Sequence, residues 1–155
     1  MQLAASRPND RKTAYWGVPW EAGYGYPQAR LEGSAIYVSG QFNHDEDGNL
    51  VAPAPLDSKG KPRDFSKMGE QMRTAYENIS KLLALYGATL EDVVEETLYV
   101  LDMDAAFAVV GSVRKAAYGT EHPQCASNII GVSRLAQRPQ LVDIACKAVI
   151  GSRAA

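Results

Sequence analysis

Seven apolar positions, Met68, Met72, Ala75, Ile79, Leu82, Leu83 and Tyr86, recur at three- and four-residue spacing and mark one face of a long helix. Asp64 or Ser66 is placed to cap its start, and Gly87 stands where a left-handed residue closes a helix. A narrower stripe, Ala106, Val109, Val113 and Ala117, predicts a second helix over about residues 105–118, begun by Asp102 or Asp104 and ended by Gly119. Between the two, residues 93–101 are β-branched and aromatic, a strand in which Glu95 and Glu96 put a charge on each face. Two closing strands, at about residues 127–135 and 141–150, flank a turn containing Pro139. In the last strand Val142, Ile144, Cys146, Ala148 and Ile150 share one face, and Asp143, Ala145 and Lys147 the other. Asp143 is the carboxylate whose place in so apolar a strand needs a reason.

The N-terminal half is less regular. Residues 24–31 read as a strand with Tyr24, Tyr26, Gln28 and Arg30 on one face, and Gly33 supplies the turn into a second strand at residues 35–41. That strand ends in Ser39-Gly40-Gln41, where small groups let backbone come close to a ligand; a hairpin simply closing is the plainer reading. Residues 14–26 hold both tryptophans and three of the eight tyrosines. Pro19 and the glycines argue against a helix here, so the rings cover a core or line a concave wall from irregular or edge-strand structure. Residues 1–13 read as a flexible lead-in, 14–150 as one domain and 151–155 as a tail. Residues 52–64 form a long loop rich in Pro and Lys, either a cover over something or an insertion. Asp45, Asp47 and Asn49 invite comparison with a calcium loop, but Gly48 is misplaced for one. Two amphipathic helices then cover one face of one sheet, and the other face is solvated or meets other subunits.

Composition narrows the function classes. With 155 residues, 46% of them hydrophobic, and a net charge of −2, the chain has neither the basic footprint of a nucleic-acid binder nor that of a protein drawn to anionic membrane. The loop cluster Lys59, Lys61 and Arg63 reads as solvated. Cys125 and Cys146 are not spaced as a metal or redox pair, which makes them reduced thiols and the expected location cytoplasmic; the polar N-terminus has no secretion-signal core. His44 and His122 form no metal motif, so no metal is expected.

The ordered set YGYPQARLEGSAIYVSGQ, QMRTAYENISKLLALYGATLEDVVEETLYVLDMD and VSRL…LVDIACKAV resembles the RidA (YjgF) family, also labelled "endoribonuclease L-PSP", over roughly residues 24–150. The resemblance implies a chorismate-mutase-like α/β (α+β) fold, a homotrimer with clefts between subunits, and hydrolysis of enamines or imines such as 2-aminoacrylate without cofactor or metal. Position by position it implies Tyr26, Ser39 and Gly40 as one half of a cleft, and Asp143 in place of a glutamate that handles water. The family's anchoring arginine is missing. Counting back from Asp143, with one inserted residue, its position falls on Ser127, beside Cys125, Ala126 and Asn128, none of them basic. A lost charge-assisted bond costs about 1.5–3 kcal/mol, so aminoacrylate activity does not carry over.

Three readings follow. In the first, a hydrolase uses Asp143 for water, Tyr26 and Ser39 for orientation, and Ser127 or Asn128 in place of the anchor; Arg30 is a substitute cation only if it reaches the cleft, and solvent exposure is its plainer fate. In the second, the trimer binds a small metabolite in the same clefts, with Trp16 or Trp20 joining the wall, and does not turn it over. The third, a ribonuclease or translation inhibitor, rests on the older family label and runs against the acidic charge. The expected partners are copies of the chain itself and a small molecule, with no nucleic acid and no membrane.

Overall fold

The computed structural model describes residues 2–4 and 12–152. In chain order the elements are β1 (Gln2–Ala4), β2 (Lys12–Tyr15), α1 (Pro19–Tyr24), β3 (Ala29–Glu32) and β4 (Ala35–Gln41). After them come α2 (Met68–Ala84), a 3-10 turn (Leu90–Asp92), β5 (Val93–Val100), α3 (Met103–Tyr118), β6 (Ala126–Gly131) and β7 (Val142–Val149). The strands form one sheet in the order β1-β2-β3-β4-β7-β5-β6.

β7 lies antiparallel between β4 and β5, which makes those two parallel to each other, and β5 pairs with β6 in parallel. The chain therefore crosses from β4 to β5 through α2 and onward to β6 through α3, stepping in one direction. Right-handed crossovers that step the same way put their helices on the same face. That face carries Leu98, Val100, Val142, Ile144 and Ala148, all buried, and meets Met72, Ile79, Leu82 and Leu83 of α2 and Ala106, Val110 and Val113 of α3. Val110 is buried where the stripe named Val109, a shift of one residue around the helix. The opposite, open face carries Tyr37, Lys147, Tyr99, Asp143, Asn128 and Ile130, with Tyr37 48% and Ile130 45% exposed.

Helix ends follow local chemistry. Asp102 caps α3 by accepting from the Ala105 N–H at 2.8 Å, and Gly119 closes it at φ +67°. Gly87 takes φ +72° after α2, as expected. The N-terminus of α2 differs, because Lys67 precedes it without a side-chain cap, and Asp64 instead accepts from Ser66 in the turn ahead.

The segment between Trp16 and Gln28 departs most from expectation. Pro19–Tyr24 is a short helix, not irregular chain or strand. Proline at the first helical position loses no hydrogen bond, and Gly25 ends the helix at φ +75°. Glu21 reaches back so that its carboxylate accepts from the N–H groups of Trp16 (2.6 Å) and Gly17 (3.0 Å). The expected strand at 24–31 thus shortens to β3, and Tyr24, 81% exposed, does not share a strand face with Tyr26. Residues 1 and 5–11 of the expected lead-in, and 153–155 of the expected tail, lie outside those described. The described part of the lead-in forms strand, with Ala4 opposite Thr13.

Candidate functional site

Asp143 stands second in β7, opposite Tyr99 of β5, on the open face. On its other side the β4–β7 register shifts between Val38 and Gln41, so Ser39 and Gly40 sit in an irregular stretch beside the carboxylate. A Cβ on Gly40 would stand 2.8 Å from Asp143 Cγ and 2.9 Å from Oδ2, and closer still to Oδ1. Glycine at position 40 is therefore what lets the carboxylate lie against the strand. Asp143 Oδ1 is buried with no hydrogen-bond partner among the described residues. Burial pushes the carboxyl up from the usual 3.8 to about 6, while the Gln140 amide and the Ile144 N–H pull weakly the other way.

Ser39 brings Tyr26 to this place. Its N–H donates to Gln28 O (2.8 Å) and its hydroxyl to Pro27 O (2.9 Å), fastening the segment after α1 onto the bulge. Burial raises the Tyr26 hydroxyl, the negative charges of Asp143 and then Glu21 raise it further, and the Gln28 amide opposes them. Both the phenol and the carboxyl are thus held toward their protonated forms, a pair suited to hydrogen-bonding a ligand and moving a proton.

Behind Tyr26 runs a chain of amides that the sequence reading missed. Trp16 Nε1 donates to Gln41 Oε1 (2.9 Å), and Gln41 Nε2 donates to Gln28 Oε1 (2.8 Å). Gln28 Nε2, buried, has no partner of hydrogen-bond geometry. Both oxygens accept, so the chain turns the Gln28 NH2 toward Tyr26 and fixes which way each amide points. The available signal was that the strand pattern put Gln28 on the same face as Tyr26 and Gln41 at the end of the neighbouring strand. Trp16 is core, 5% exposed, and Trp20 packs on Phe42 and His44 at ring distances of 5.3 and 5.2 Å. Trp16 thus backs the chain of amides through its bond to Gln41.

The other expected residues separate. Ser127 pairs with Glu96 across β5–β6 and lies on the helix face, the reverse of the sheet from Asp143. Its hydroxyl donates to Glu96 Oε1 (2.9 Å) and accepts from Arg114 Nη2 (2.6 Å), which ties it to the Glu96–Arg114 cluster. Strand alternation gives the open face to the next residue, Asn128, opposite Thr97 and one strand beyond β5 from Asp143. Arg30 sits in the row of Tyr37 and Lys147, four residues along β7 from Asp143, and pairs with Glu32 at 2.9 Å. It does not serve this carboxylate. Asp45 accepts from the Asp47 and Asn49 N–H groups and shapes a turn. Among the described residues no group of three or more His, Cys, Asp or Glu side chains is arranged to hold a metal, and no helix is long and apolar enough to cross a membrane.

Comparison with known proteins agrees with this architecture. The family profile described as Endoribonuclease L-PSP matches residues 20–150. A RutC family protein from Pyrococcus abyssi is 35% identical over 111 residues, 71% of this chain and 75% of that one. The RutC family protein YjgH of Escherichia coli is 30% identical over 89 residues, 57% of each chain. Among solved structures, a YjgF-family protein from Mycobacterium tuberculosis superposes with a TM-score of 0.71 at 26% identity, covering 91% of this chain and all of that one. RidA from an Antarctic Psychrobacter superposes with a TM-score of 0.65 at 26% identity over 81% of this chain and 88% of that one. The chain belongs to the RidA/YjgF family, the family of the endoribonuclease L-PSP label.

Proposed function

We propose that the chain is a hydrolase of a small enamine or imine, with Asp143 as its acid and base. The observation that carries the reading is the Asp143 carboxylate itself: one buried oxygen without a partner among the described residues, and a pKa raised by desolvation to about 6 beside a protonated Tyr26. The ionised carboxylate takes a proton from water as its oxygen bonds to the imine carbon. The substrate reacts as the protonated imine, to which an enamine converts by taking a proton on carbon. The proton taken from water passes from Asp143 to the nitrogen of the resulting carbinolamine, and the carbon–nitrogen bond breaks as ammonia leaves. The remaining hydroxyl proton goes to the ionised carboxylate, leaving the carbonyl product. Tyr26 orients the substrate nitrogen, and the backbone at Gly40 approaches it without a side chain in the way. The site is a cleft between copies in a homotrimer; the exposed Tyr37 and Ile130 on the open sheet face support such an association. Asn128 presents a neutral amide on that face, which suits an amide, hydroxyl or carbonyl on the substrate better than a carboxylate.

The test is ammonia release from a panel of enamines, compared between the native chain and Asp143→Asn. Equal rates would falsify the assignment. A second reading, binding without turnover, draws on the same neutral Asn128. Thermal stabilisation by acidic and neutral metabolites, with no product formed from any of them, would favour it. A role in cleaving RNA finds no support in the net charge of −2, and the protein is expected not to retain RNA at any salt concentration.

A further inference from the structure

The long 52–64 loop does cover something. Where β5 and β6 end, it faces the loop that leads into β7, and the two line an open cavity of about 420 Å³ with Phe65 and Leu101 among its apolar lining. The lining also holds Lys61, Arg63, Arg134 and Arg138. Four of the eleven lining residues are cationic and none is acidic, in a chain with 16 Lys and Arg among 155 residues and a net charge of −2. None of the lining residues belongs to the Asp143 site.

Both walls are held in place. Gln71 Nε2 donates to Ala52 O (3.0 Å) and Pro139 O (2.9 Å), and Gln71 Oε1 accepts from the Leu141 N–H (2.7 Å), so one buried amide ties the two loops together. Asp57 accepts from the N–H groups of Lys59 (2.8 Å) and Lys61 (3.0 Å) and from Arg63 Nε (2.8 Å), folding the loop tip around itself. Arg138 lies across Gly60, donating to its carbonyl at 3.3 Å; a Cβ there would stand 3.1 Å from Nη1, and φ is +71°. Lys61 and Arg134 have no carboxylate partner among the described residues. A solvated loop needs none of this order, nor an apolar lining beside its charges.

We propose that this cavity binds a small organic phosphate, its phosphate between Lys61, Arg134 and Arg138 and its organic part on Phe65 and Leu101. A carboxylate offers two oxygens and one charge. A phosphate monoester offers three terminal oxygens and nearly two charges, which matches three cations lining one cavity better. The volume is that of a small-ligand pocket, and the ordered walls lower the entropic cost of binding.

Calorimetric titration at low salt with phenyl phosphate, phenol and inorganic phosphate tests each part. Phenyl phosphate binds most tightly, inorganic phosphate more weakly, and phenol not at all. Arg134→Ala and Lys61→Ala, both exposed positions whose loss leaves the fold unchanged, each weaken phenyl phosphate about tenfold or more. Asp143→Asn leaves that affinity unchanged, which separates this cavity from the hydrolytic site. Absence of saturable phenyl phosphate binding overturns the proposal. So does binding that survives both cation substitutions, or that matches phenol.

Discussion

Two carboxylates interrupt the apolar runs of this sheet, Glu96 on the helix face and Asp143 on the open face, and they are treated in opposite ways. Glu96, 1% exposed on the helix face, receives Tyr76 Oη (3.0 Å), Tyr118 Oη (2.9 Å), Ser127 Oγ (2.9 Å) and Arg114 Nε (2.6 Å). Its bonds reach α2, α3 and β6, so it joins both helices to an edge strand. Among the described residues, Asp143 on the open face has no ion-pair partner and one oxygen without a hydrogen bond, and its pKa is lifted to about 6. A buried charge whose acceptor sites are satisfied fixes geometry, whereas one left short keeps chemical potential for a ligand. Saturation marks a structural carboxylate, and deficiency suits the role proposed for Asp143.

The largest effect is expected from breaking the saturated site. Glu96→Ala leaves the Arg114 guanidinium half-buried without its partner and should destabilise the fold by about 3–5 kcal/mol. Glu96→Leu with Arg114→Leu should recover most of that loss in denaturant titrations, because no orphaned charge remains. If the single and double substitutions cost the same, the cluster is not an ion-pair network.

Asp143→Asn should act in the opposite sense on stability and activity. The folded protein holds the Asp143 proton more tightly than the unfolded chain, since burial lifts its pKa from 3.8 to about 6. Its contribution to stability is fully present below pH 4 and is lost as pH rises through 6, at most about 3 kcal/mol. The asparagine variant should therefore equal the native chain at pH 4 and exceed it at pH 7, while ammonia release falls about 10²–10⁴-fold. In the native chain kcat/KM should climb with pH through about 6. A flat difference in stability between pH 4 and 7 would remove the argument from burial.

The contrast between these carboxylates was half legible in the sequence. Asp143 stood out because a strand with period two exposes any polar residue that interrupts an apolar run. Residues 35–41, the two long helices and the closing strand were readable for the same reason: their periodicity repeats over many residues. Glu96 could be seen to lie on one face of β5 and Glu95 on the other, but not that Tyr76, Arg114, Tyr118 and Ser127 would converge on it. Those four are 18 to 31 residues away in sequence, and only the stacking of α2, α3 and β6 over β5 brings them in. Ser127 and Asn128 could not be told apart for the same reason, because which of two neighbours lies on the open face depends on register with β5. Helix α1 was missed because six residues carry no stripe. It is held by Glu21 reaching back to Trp16 and Gly17, a tertiary contact that propensity does not report.

Gly40 and Gln41 offer a finer way to separate deficiency from mere looseness at Asp143. Gly40→Ala drives a methyl into the carboxylate and should cost about 1–3 kcal/mol, with the Asp143 side chain displaced and activity lost. Gly40→Ala with Asp143→Ala should restore stability but not activity. Gln41→Leu, smaller still, removes the acceptor for Trp16 Nε1 and the donor for Gln28 Oε1, at about 1–2 kcal/mol. The Gln28 amide is then free to turn over and present its oxygen to Tyr26. An acceptor in place of a donor beside the phenol raises its pKa further, so the variant should keep substrate affinity within a few-fold while its rate falls and the tyrosine titration moves up. A lost affinity with an unchanged tyrosine would mean that Gln41 merely packs the strand and does not orient Tyr26 through Gln28.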